Sequence, residues 1–64
     1  MVIYHNGEKT EVDDGITLQK FLRQTGYRRV MVKLNDEQLS AGQFASTILK
    51  EGDEIIAKRI SGGG

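Results

Sequence analysis

The sequence has no cysteine and no proline. Without cysteine there is no disulfide framework, no thiolate metal site and no cysteine nucleophile; this fits a reducing compartment. Without proline nothing marks an interdomain linker. An excess of charge of one sign is missing too. Nine basic and nine acidic residues cancel to a formal net charge of zero, which argues against broad electrostatic binding to nucleic acid. No apolar run approaches the roughly 20 residues of a membrane span, and the first residues lack a signal-peptide pattern. At 64 residues the chain is one domain. A domain of this size buries only about 60% of its unfolded surface and has little room for a catalytic pocket. The expectation is a cytoplasmic, soluble protein with no catalytic residues, no metal and no cofactor of its own. It is expected to be a monomer when free, with neither membrane nor nucleic acid as partner.

What the chain does have is glycine, with three of its eight glycines closing the sequence. Ser61-Gly62-Gly63-Gly64 carries almost no side chain, so its backbone can thread where bulkier residues would clash. The reading is a folded handle over residues 1–60 and a flexible glycine tail over 61–64. Chemistry would be done to the carboxylate of Gly64 by another enzyme. The plainer alternative is a mobile end without function.

The handle reads as follows. Met1–His5 and Glu8–Val12 are strand-forming runs around Asn6-Gly7, a dipeptide suited to the positive φ angles of a type I′ turn. After Asp13-Asp14-Gly15, Thr17 is a helix N-cap. Ile16 and Phe21 are spaced for a hydrophobic staple. Leu18, Phe21 and Leu22 form the apolar face of a helix of about eight residues that Gly26 terminates. Val30–Leu34 alternates as a strand. Asn35-Asp36 turns the chain into a strand stub at Glu37–Leu39. Gln43–Leu49 is expected to make one or two helical turns, with Phe44 and Ile48 on one face. Glu51-Gly52-Asp53 turns into a final strand over Glu54–Ile60, expected in the middle of the sheet beside the first strand.

This order predicts an α+β two-layer fold, a mixed sheet of four to five strands with one main helix packed on one face. The expected core is Ile3, Val12, Leu18, Phe21, Leu22, Val30, Val32, Leu34, Ile48, Leu49, Ile55 and Ala57. Met31, Ile56 and Ile60 fall on the opposite face, with Lys33 and Lys58 able to rim them. Apolar residues exposed together on a small domain mark a partner site. Met31, Ile56, Lys58 and Ile60 are therefore the candidate docking patch; the alternative is that some of them pack under the 37–49 segment. His5 has no second ligand or nucleophile near it in sequence and reads as structural. Asp13-Asp14 reads as a solvated loop. Arg28-Arg29 complements the helix dipole and is a candidate contact for an acidic partner surface.

The Asn6-Gly7 hairpin, the Gly15-Ile16-Thr17-Leu18 helix entry, Val32-Lys33-Leu34-Asn35, Glu51-Gly52-Asp53-Glu54-Ile55 and terminal Gly63-Gly64 stand in a familiar order. Across the whole chain they resemble the ThiS-type sulfur carriers of the ThiS/MoaD family, within the ubiquitin-like β-grasp superfamily. The resemblance implies a protein cosubstrate rather than an enzyme. An activating adenylyltransferase would use ATP to adenylate Gly64, with Ser61, Gly62 and Gly63 threading into its active site. Sulfur would then replace AMP, and the thiocarboxylate would pass to a sulfur-accepting biosynthetic enzyme. Thiamine thiazole is the first reading of the product; molybdopterin, cysteine, homocysteine or methionine are the others. Within Ala41-Gly42-Gln43-Phe44-Ala45, Phe44 matches an aromatic of thiamine-type carriers, but their preceding arginine is absent. Two alternatives stay open: a ubiquitin-like modifier forming isopeptide bonds through Gly64, and a plain β-grasp interaction module.

Overall fold

The computed structural model describes residues 1–60. Asn6 and Gly7 both hold positive φ (50° and 85°), so the first turn matches the right-handed twist of the strands it joins. It connects β1 (Val2–His5) to antiparallel β2 (Glu8–Glu11). Helix α1 (Leu18–Thr25) starts at Thr17, whose hydroxyl accepts from the Lys20 N–H at 3.1 Å. It stops at Gly26 in the left-handed region (φ 84°), and the Tyr27 N–H folds back to the Leu22 carbonyl at 3.0 Å. β3 (Val30–Leu34) and β4 (Glu37–Leu39) form a second antiparallel hairpin. A 3-10 helix (Ala41–Ser46) follows, then β5 (Glu54–Arg59).

The five strands make one mixed sheet in the order β2-β1-β5-β3-β4. The last strand is central and beside the first, as expected from the sequence; it runs parallel to β1 and antiparallel to β3. One sheet face carries α1 and the 3-10 helix. Ile3, Val32, Ile55 and Ala57 point into that layer and meet Ile16, Leu18, Phe21, Leu22, Phe44 and Leu49. Val12, Val30 and Leu34, expected in the core, lie at its margin and are partly buried.

Ile48 departs from expectation: it is 57% exposed. The helical turn ends at Ser46, and Thr47–Leu49 runs extended against 16–18. The Leu18 N–H donates to the Thr47 carbonyl (2.8 Å), and the Leu49 N–H donates to the Ile16 carbonyl (2.9 Å). In extended chain neighbours point opposite ways, so Leu49 faces the core and Ile48 faces out. The helical period expected for 43–49 is thus replaced by a period of two after Ser46. The same bridge draws Ile16 into the core, which its expected staple with Phe21 had only implied.

Candidate functional site

The site is built on β5 because that strand leads to Ser61-Gly62-Gly63-Gly64 in the sequence. β5 is paired on both sides, and the Ile60 N–H donates to the Arg29 carbonyl at 3.1 Å, one residue beyond the strand. Two asparagine side chains clasp it further. Asn6 accepts from the Ala57 N–H (2.8 Å) and donates to the Ala57 carbonyl (3.2 Å), replacing the backbone partner that β1 loses where it turns away. Asn35, in the turn of the other hairpin, accepts from the Glu54 N–H (2.9 Å) and donates to the Asp53 carboxylate (3.1 Å). Asn35 and its neighbour Asp36 hold positive φ without any glycine. Both hairpins therefore lock onto the strand between them.

On the solvent face, Met31 stands opposite Lys58 and Lys33 opposite Ile56 in the β3–β5 register. Apolar and lysine side chains alternate as on a chequerboard around a shallow depression lined by Met31, Lys33, Gln38, Ile56 and Lys58. Met31 and Ile56 are 48% and 45% exposed, and the 37–49 segment does not cover them. The structure adds Tyr4 to this face, opposite Glu54 and beside Ile56. Sequence reasoning missed it, although the alternation of Ile3 and Tyr4 about a strand carried the signal. Ile60 does not join this group. It borders a separate depression at the end of the sheet with Gly26, Arg28, Arg29 and Arg59. Ser61, Gly62, Gly63 and Gly64 lie outside the described residues.

His5 is held as a packing residue. Its Nε2 is 2.7 Å from the Tyr27 hydroxyl, and its ring meets Phe21 and Tyr27 edge-on at 5.3 and 5.6 Å. Among the described residues no group of three His, Asp or Glu side chains could hold a metal ion. No helix among them is long and apolar enough to cross a membrane.

The ThiS family model matches residues 2–63, almost the full chain. The chain belongs to the ThiS family. Its β-grasp architecture agrees with the crystal structure of a thiamine biosynthesis protein, ThiS, from Geobacter metallireducens. That protein is 29% identical, with a TM-score of 0.84 over all of both chains. The solution structure of a Geobacter metallireducens thiamine biosynthesis protein gives 29% identity and a TM-score of 0.81, over all of this chain and 88% of the other. A thiazole synthase from Magnetococcus marinus is 33% identical over 66 aligned residues. They take in all of this chain but only 20% of that relative, so the ThiS-family chain spans a fifth of its length.

Proposed function

We propose that this ThiS-family chain carries sulfur as a thiocarboxylate on Gly64 for the synthesis of the thiamine thiazole. A family match that runs through Gly63 carries this reading. In the first step a Gly64 carboxylate oxygen attacks the α-phosphorus of ATP in a partner's active site and expels pyrophosphate. Hydrosulfide, or the terminal sulfur of a persulfide, then attacks the acyl carbon and expels AMP. In the persulfide route a thiol afterwards cleaves the sulfur–sulfur bond. A carboxylate is a poor acyl electrophile; the mixed anhydride supplies the leaving group and splits one hard substitution into two easier ones. ATP is the partner's substrate, not a cofactor of this chain.

The fold serves that role by holding the root of the tail. A strand paired on both sides and clasped by Asn6 and Asn35 gives Ile60 a defined position. Four extended residues span roughly 13 Å, enough to reach into a partner's channel. The face bearing Met31, Ile56 and Lys58 docks the activating enzyme, with Ile60 at the channel's entrance. The Magnetococcus relative, a thiazole synthase that contains a segment like this one, supports an enzyme of that kind as the sulfur acceptor.

Intact-protein mass spectrometry tests the reading. The chain is incubated with ATP, a sulfide source and the cognate adenylating enzyme, then alkylated. With no cysteine in the sequence, a thiocarboxylate is the expected alkylation site, and the adduct should map to Gly64. Methionine oxidation mimics the oxygen-to-sulfur mass change but creates no alkylatable group. Capture of the activated glycine by protein lysines, or an unmodified but folded chain, would refute the carrier assignment.

A further inference from the structure

The zero net charge conceals an uneven charge distribution about the two ends of β5. Asp36, Glu37, Glu51, Asp53 and Glu54 gather around the start of β5, where the Asn35 turn hydrogen-bonds to Asp53 and Glu54. At the other end of the strand, Arg28, Arg29 and Arg59 surround the depression beside Ile60, and no acidic side chain lines it. All three arginines are exposed. No carboxylate of the described residues lies within ion-pairing distance of any of them. Three like charges around one hollow repel each other. One of them packs on an aromatic ring: the Arg59 guanidinium lies 5.3 Å from the centroid of the Tyr27 ring, whose hydroxyl is in turn hydrogen-bonded to His5. A cation over an aromatic face is favourably placed, which biases Arg59 toward this position.

From this arrangement we infer that Arg28, Arg29 and Arg59 form a basic collar at the tail root that docks on an acidic rim around the tail channel of the activating enzyme. This rests on the carrier reading above and names the chemistry of its partner surface. The collar is distinct from the Met31–Ile56 face, which contacts the partner through apolar area. A protein rim is favoured over the adenylate: in the carrier reading the reacting carboxylate is that of Gly64, four residues beyond Ile60, and a chain extended into the partner's channel would carry it roughly 13 Å from the collar. Charges at the rim of an interface act on encounter rate and salt dependence more than on the chemistry that follows.

The test is the steady-state rate of pyrophosphate release by the cognate adenylating enzyme, with the full chain as varied substrate. Arg28→Glu/Arg29→Glu and, separately, Arg59→Gln are compared with wild type at several ionic strengths. A control, Lys20→Glu/Lys50→Glu, makes the same net charge change as the double arginine variant, away from the collar. The double arginine variant should raise KM about tenfold at low salt with kcat nearly unchanged. Arg59→Gln should raise it a few-fold. Both gaps should narrow as added salt screens exposed charges. Circular dichroism should show every variant folded. The collar is overturned if KM stays at the wild-type value, if the lysine control raises it equally, or if the loss does not respond to salt. It is overturned too if ATP or inorganic phosphate alone shifts the amide resonances of Arg28, Arg29 and Arg59 in the isolated chain, which would make the hollow an anion site. A wild-type chain that the enzyme does not adenylate would sink the carrier reading instead, a separate result from any of these.

Discussion

Replacing Asn6 tests whether the hairpin turns hold the central strand. The side chain makes two partly buried hydrogen bonds to Ala57, at 2.8 and 3.2 Å, and its backbone stands at φ 50°. Each neutral hydrogen bond is worth about 1 kcal/mol net. Asn6→Gly removes both bonds and gains freedom in the unfolded chain, while keeping the left-handed backbone unstrained. Its expected cost is about 2 kcal/mol. Asn6→Ala loses the same bonds and places an alanine in a left-handed conformation that costs a further 1–2 kcal/mol or so, for about 3–4 in all. A domain of this length has a total stability of roughly 3–10 kcal/mol, so either change is a large fraction of it. Urea unfolding followed by circular dichroism measures both, and the midpoint should fall by roughly 1–2 M for Asn6→Gly at a slope near 1–2 kcal/mol/M. Hydrogen exchange at the Ala57 amide should accelerate beyond the global loss of stability, because its acceptor is gone. The equivalent change at exposed Asn35 should cost less, about 1 kcal/mol. If Asn6→Gly unfolds within 0.3 M or so of wild type, the clasp contributes nothing and the reasoning fails.

Two other outcomes follow from the packing and the outer face. Leu49→Ala should cost about 3 kcal/mol as a core truncation. Ile48→Ala, one residue earlier, should stay within roughly 0.5 kcal/mol. Equal losses in thermal unfolding would show that the 47–49 segment is packed helically after all. Met31→Asp/Ile56→Asp should leave the unfolding midpoint near wild type and raise the KM for adenylation about tenfold or more, since buried apolar anchors dominate interfaces. An unchanged KM would remove this face from the docking surface.

Local signals made much of this protein legible. Asn6-Gly7 dictated a type I′ turn because glycine and asparagine tolerate positive φ where other residues are strained. Thr17 and Gly26 bounded α1 because a hydroxyl and a missing Cβ satisfy helix ends. Alternation assigned Ile55 and Ala57 to the core and Ile56 to the solvent face. The glycine tail pointed to Gly64, which lies beyond the described residues. Where the period of the chain changed, sequence alone misled: Phe44 to Ile48 looks helical, and only the bridge between Thr17 and Ile48 turns the isoleucine outward.

Other features exist only in three dimensions. Asn6 is 51 residues from the strand it clasps and Asn35 is 19 from Glu54, separations that no local pattern can link. Of the apolar residues expected to share one patch, Met31 and Ile56 line one depression and Ile60, beyond the end of β5, borders another with the arginines. Nine positive and nine negative charges sum to zero in any arrangement. That the arginines meet beside Ile60, while five carboxylates lie about the opposite end of β5, follows from the antiparallel pairing of β3 with β5. That pairing brings Arg29 beside Ile60 and Asn35 beside Glu54. Composition specified which charges the chain holds; tertiary pairing decided where they converge.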